Sequence, residues 1–124
     1  MSMLPPVFSY LVAAAPLTAL IGTTPTRAYR HGDAPQLVTA PYVTWFANGC
    51  APGNLLDGNP PPVDGWAITV DSWSDGDSEV EAVAQAVRDA LEPHGYLTGF
   101  NANSRDPATR RYRISMQFEF WISR

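Results

Sequence analysis

The sequence contains no lysine. Its eight basic residues are all arginine and stand against twelve acidic ones, for a net charge of −4. An all-arginine set reads as the codon bias of a GC-rich genome, and it would also suit planar, bidentate salt bridges at subunit contacts. The arginines form no basic run, which argues against an autonomous nucleic-acid binder, whose affinity is dominated by phosphate contacts. There is one cysteine, Cys50, so no internal disulfide can form. A lone cysteine of this kind is expected to be a small buried apolar residue. The two histidines, His31 and His94, have no HxxxH or CxxC partner, so no metal site is expected. His94, after Pro93 at a helix end, is expected to be exposed and to cap carbonyls. No Gly-rich phosphate loop, no G-x-S-x-G elbow and no Ser/His/Asp arrangement is present, so no catalytic residue and no cofactor are expected.

A long uninterrupted apolar run is also missing. Met3 to Ile21 is apolar, but Pro5, Pro6 and Pro16, with Ser9, Tyr10 and Thr18, break it before it could span a bilayer. No Lys or Arg precedes it, as the charged start of a signal peptide would require. The stretch is expected to be a core helix of a cytosolic protein, opening at Pro5 and Pro6, interrupted at Pro16 and closed by Gly22.

What remains suits one globular domain spanning residues 1–124. Hydrophobic residues make up 45% of the chain, with four Trp, five Tyr and five Phe, enough for a small core held by few large side chains. Arg27 to His31 reads as a short strand, and Gly32-Asp33-Ala34-Pro35 as a turn. Pro41 to Ala47 is a strand rich in β-branched and aromatic residues. Ala51 to Asp64, punctuated by Gly and Pro and without either period, reads as a long loop, a kind that is often functional. Trp66 to Trp73 alternates as a strand. Ser78 to Leu91 is the clearest helix: Val80, Val83, Ala84, Val87 and Leu91 form one apolar stripe, Ser78 and Glu81 suggest a capping box, and Pro93 and Gly95 end it. The acidic cluster Asp71, Asp75, Asp77, Glu79 and Glu81 is explained by that helix start better than by calcium or acid–base chemistry. Tyr96 to Ala102 is a weaker strand and Asn103 to Thr109 a polar turn. Tyr112, Ile114, Met116, Phe118, Phe120 and Ile122 alternate with polar residues in the last strand. The order predicts an α+β fold: a mostly antiparallel sheet of four to five strands, packed against a long amphipathic helix and an N-terminal helix.

The same elements, in their order and spacing, resemble the tail completion or tail terminator family of long-tailed bacteriophages, most clearly over Gly65 to Ser123. The residues that carry the resemblance are Ala19-Leu20-Ile21-Gly22 before Arg27-Ala28-Tyr29, then Pro41-Tyr42-Val43, Asp71-Ser72-Trp73, Ala84 to Leu91, and Phe118-Glu119-Phe120-Trp121. The loop Ala51 to Asp64 departs from it by its length and its prolines. The resemblance implies a virion structural protein rather than an enzyme. It implies a ring, a hexamer, that caps the tail tube, stops its polymerisation and offers a docking surface to head-completion or neck proteins. DNA would pass through the channel without specific binding. The protein would sit at the head-proximal end of the tail, after assembly in the host cytoplasm. Another connector or minor tail protein, or a small ligand-binding or enzymatic domain with a pocket under the Pro-rich loop, are the competing readings. Candidate contact residues are Pro60, Pro61 and Pro62 in the stiff loop, Arg105, Asp106, Arg110 and Arg111 in the polar turn, and Trp73 and Trp121, which alternate away from the core-facing side of their strands.

Overall fold

A computed structural model of the chain describes residues 3–31, 33–35, 38–54 and 56–124. Its elements run α1 (Val7–Val12), α2 (Ala15–Ile21), β1 (Ala28–Arg30), β2 (Tyr42–Pro52), β3 (Val63–Ser74), α3 (Asp77–Leu91), β4 (Tyr96–Arg105) and β5 (Tyr112–Ser123). Gly32, part of the expected turn, lies outside the described residues.

The proline pattern divides the N-terminal helix in two. Pro6 stands at the N-cap of α1, and Pro16 falls in the first turn of α2, where its missing N–H removes no helical bond. Gly22 closes α2 at a φ of 89°, a conformation that disfavours any side chain. Arg27 then ties this end to the sheet: its Nη2 donates to the Leu20 carbonyl at 3.1 Å and its Nε to the Pro41 carbonyl at 2.9 Å.

The strands form one five-stranded sheet in the order β1-β2-β3-β5-β4. The short β1 runs parallel to β2, and every other pair is antiparallel. The fold is therefore α+β with a mostly antiparallel sheet, as its sequence pattern predicts. The amphipathic helix α3, at 15 residues, is of moderate length. Its buried stripe of Val80, Val83, Ala84, Val87 and Leu91 joins Ile68 and Val70 of β3 and Ile114, Met116, Phe118 and Phe120 of β5 in one core. Val7, Leu11, Leu17 and Ile21 of α1 and α2 complete it beside α3.

The start of α3 differs from the expected capping box. The helix begins at Asp77 with Gly76 as N-cap, so Ser78 lies inside the first turn and makes no cap bond. Ser74, ahead of the helix, braces its start instead: its hydroxyl bonds to the Glu79 carboxylate and accepts the Gly76 N–H at 3.1 Å. Asp77 and Glu79 in the first turn suit the helix dipole. His94 also departs from expectation. It is exposed, but its ring stacks on Tyr10 at 3.8 Å between centroids, tying the end of α3 to α1.

Gly95 places β4 against β5. A Cβ there would come within 2.7 Å of the Glu119 carbonyl oxygen and 2.6 Å of the Phe120 ring. A backbone oxygen cannot be moved by a change of rotamer, so Gly95→Ala is expected to lower stability by about 1–3 kcal/mol, the cost of an overpacked site. A shifted urea midpoint at unchanged slope checks this, and an unshifted midpoint would contradict it.

Candidate assembly interface

The sheet has two unlike faces. Helices α1, α2 and α3 pack on one. The register sets Tyr42, Thr44, Thr69, Asp71, Trp73, Arg113, Ser115 and Gln117 on the other. This outer face is largely polar, with Phe46 exposed opposite Thr69, and many of its side chains bury one another laterally. Thr69 donates to Asn48 Oδ1 at 2.8 Å, and Asn48 donates to Gln117 Oε1 at 3.4 Å. Trp73 stacks on Tyr42 at 5.8 Å, donates from Nε1 to Thr44 Oγ1 at 3.0 Å, and has the Arg113 guanidinium 5.7 Å from its ring centre. Trp73 is thus on the outer face but half-buried by partners in its own sheet. Trp121 is 50% exposed on the same face and lies across Gly65, where a Cβ would meet its ring at 3.1 Å.

The loop expected over Ala51 to Asp64 is shorter at both ends. β2 continues through Pro52 and β3 starts at Val63, with Ala51 opposite Gly65 and Pro52 opposite Asp64. Strand pairing across the sheet overrides the local turn signals here. A bulge between Ala47 and Gly49 interrupts the β2–β3 pairing, which resumes through Pro52 and Asp64, and the hairpin extends beyond the sheet, as an arm, only past Pro52 and Val63. Most β2 residues beyond the bulge are exposed, Cys50 included, so the expectation of a buried Cys50 is corrected: β1 covers β2 only as far as Trp45, and Cys50 lies on the open edge beyond it. Pro60, Pro61 and Pro62 lie on the far side of the arm's tip, and the Pro62 carbonyl accepts the Arg124 N–H at 2.9 Å. The tip also carries Leu56, which is completely exposed at 110%.

The base of the arm is held by a pair that the sequence pattern does not reveal. Arg124 grips Asp64 with Nη2 at 2.8 Å and Nε at 3.0 Å. This bidentate bond to Arg124 holds the Asp64 carboxyl below its usual pKa, and the same pair raises that of Arg124. Cys50 is pushed up, first by desolvation and then by the Asp64 charge, so it is a poor thiolate.

The expected polar turn is narrower as well, because β4 continues through Arg105. Its four charged candidates separate. Arg105 donates from Nε to the Arg110 carbonyl at 2.8 Å and lies 4.9 Å from the Tyr112 ring centre. Asp106 Oδ1 accepts the Ala108 N–H at 2.9 Å. Both brace their own hairpin. Arg111 donates from Nε to Asp75 at 3.2 Å and from Nη2 to the Val38 carbonyl at 2.7 Å, with its guanidinium 5.4 Å from the Tyr42 ring centre. The Tyr42 hydroxyl first, and Asp75 to a lesser degree, raise its pKa above the ordinary arginine value. Arg110, at a φ of 61°, is exposed, and its side chain makes no hydrogen bond or ion pair among the described residues.

A cleft of about 310 Å³ opens between α3 and the edge strand β4. Leu97, Phe100 and Met116 supply apolar lining, and Asp77, Glu81, Gln85 and Arg88 form the helical wall. Phe100 is 59% exposed there. No pattern in the sequence joins these residues, because β4 has little alternation and two bulges. Among the described residues, no group of three or more His, Cys, Asp or Glu is placed to hold a metal ion, and no helix is long and apolar enough to cross a membrane.

The described residues thus form one sheet with helices on a single face, an exposed hairpin tip and a cleft of mixed polar and apolar lining along its β4 edge. Residues 5–123 match the family profile of the tail completion protein gp17. The chain belongs to that family and is a structural protein of phage tails. No curated protein matches it by sequence. Among solved structures, a chain of the "Virion of native gene transfer agent (GTA) particle" has the same fold, with a TM-score of 0.65 and 23% identity, over 95% of this chain and 92% of that one.

Proposed function

We propose that this protein caps the head-proximal end of the tail tube as a ring, a hexamer, ending tube polymerisation and presenting a docking surface to the head-completion or neck protein. The observation that carries this reading is the pair of unlike features on one subunit: an arm rooted in β2 and β3, and a cleft along the edge strand β4, separated from it by β5. Two different patches that meet across a subunit boundary give head-to-tail contacts, and these close into rings when the rotation fits. The acidic balance and polar outer face suit a channel that lets DNA pass without gripping it.

Imaging tails assembled with and without the protein tests this. The expected result is a ring at the head-proximal end and tails of uniform length with it, and overlong tails lacking heads without it. Uniform, head-bearing tails in its absence would overturn the reading.

A further inference from the structure

The edges of the sheet are short or interrupted: β1 is three residues long and covers β2 only from Val43 to Trp45, the open remainder of β2 carries a bulge, and β4 is interrupted by two. Such edges pair poorly with a neighbour's backbone, which leaves side-chain contacts to favour one neighbour over another. The arm leaves the sheet where β5 ends, since Val63 pairs with Ser123. β4 begins toward the same end, with Tyr96 opposite Glu119 and Leu97 opposite Phe118. The arm tip and the Leu97 end of the cleft are thus found at one end of the sheet, on opposite sides of β5. Leu56 is fully exposed, so the arm does not fill its own subunit's cleft.

The charges that line the cleft differ along it. Asp77 and Glu81 line one part, and Arg88, eleven positions along α3 from Asp77, is the one cation among the described residues of the lining. Arg88 is held only loosely by its own chain, 3.7 Å from Asp89 and 3.5 Å from Glu92, with 44% of its side chain exposed. The tip has an acid, Asp57, next to its exposed leucine, and residues 53–63 contain no basic residue.

Building on the ring reading, we propose that the arm tip of each copy docks in the α3–β4 cleft of the next, with Leu56 against Leu97 and Phe100 and Asp57 against Arg88. The apolar contact supplies the adhesion, and the charge pair sets the direction.

The test combines cross-linking and charge reversal in the full-length chain on assembled tails. In a Cys50→Ser background, Leu56→Cys with Phe100→Cys is oxidised and run on a denaturing gel. A ladder of covalent multimers is expected, absent from either single variant. Asp57→Arg is expected to weaken ring formation by about tenfold, equivalent to about 1.4 kcal/mol, and Asp57→Arg with Arg88→Asp to restore it. Both positions are exposed, so unchanged melting curves show that the fold is intact. Rings seen by imaging, but with no ladder and no effect of Asp57→Arg, would overturn this contact and leave the ring standing. Cross-links from Leu56→Cys to the tube protein would also overturn it. Failure of the unsubstituted protein to form any ring would remove the ring reading itself.

Discussion

Val87→Asp leaves no cooperatively folding protein. Val87 is 0% exposed, in the middle of the stripe by which α3 covers β3 and β5. Around it are Val80, Val83, Ile68, Met116 and other apolar members of one core, and none of them offers a carboxylate a hydrogen bond. An uncompensated buried charge costs about 3–5 kcal/mol, against a total stability of about 5–15 kcal/mol for a domain of ordinary size. The lost packing adds to it, and few core positions in so small a domain can absorb such a loss. The control is the same residue two positions back. Gln85→Asp sits on the exposed side of α3 and costs only helix propensity and the repulsion of Glu81 and Asp89 one turn away on either side, together about 1 kcal/mol. Thermal and urea unfolding of both variants, followed by circular dichroism, measures the difference. A soluble Val87→Asp protein with a cooperative transition would contradict the packing of α3 described above.

That packing was legible because it is periodic. The 3.6-residue stripe of α3 and the alternation from Tyr112 to Ile122 each name their buried face without help from the rest of the chain. Proline and glycine chemistry likewise located the break at Pro16 and the end of α2 at Gly22. Legibility failed where a distant partner decides the outcome. Ala51, Pro52, Val63 and Asp64 carry loop signals, yet they are strand, because each half of the hairpin pairs with the other and Arg124 clamps Asp64 from sixty residues away. Cys50 has the chemistry of a core residue, yet β1 covers β2 only from Val43 to Trp45 and leaves Cys50 on an open edge. Of the arginines in the β4–β5 hairpin, Arg111 is occupied by Asp75 and Val38, contacts that only tertiary structure creates. Trp73 and Trp121 were placed on the correct face by alternation alone. The stacking that half-buries Trp73 and leaves Trp121 exposed was not readable. The cleft was invisible, since its two walls lie on α3 and β4 and its strand wall has no period to mark it.

Replacing residues 54–61 by Asn-Gly is expected to separate folding from assembly. The ends of the arm are already close, with the Gly53 N–H donating to the Val63 carbonyl at 2.9 Å, so a short turn can close the gap without disturbing β2 or β3. None of the described residues in the segment belongs to the core: Pro61 is half-buried, the others are exposed, and Leu56 is wholly in solvent. Shortening a loop also reduces its closure entropy, so the melting temperature should hold or rise slightly. The Arg124–Asp64 clamp lies outside the replaced segment and keeps the base of the arm in place. Assembly should respond in the opposite way. A ring that depends on the arm loses one side of every contact at once, and the losses multiply around the closed ring. The expected outcome is a folded monomer by light scattering, no ring on the tube, and tails of uneven length in electron micrographs. Uniform tails carrying normal rings would show that the arm is idle and would move the contact to the bare outer face, where Trp121 is the largest exposed side chain.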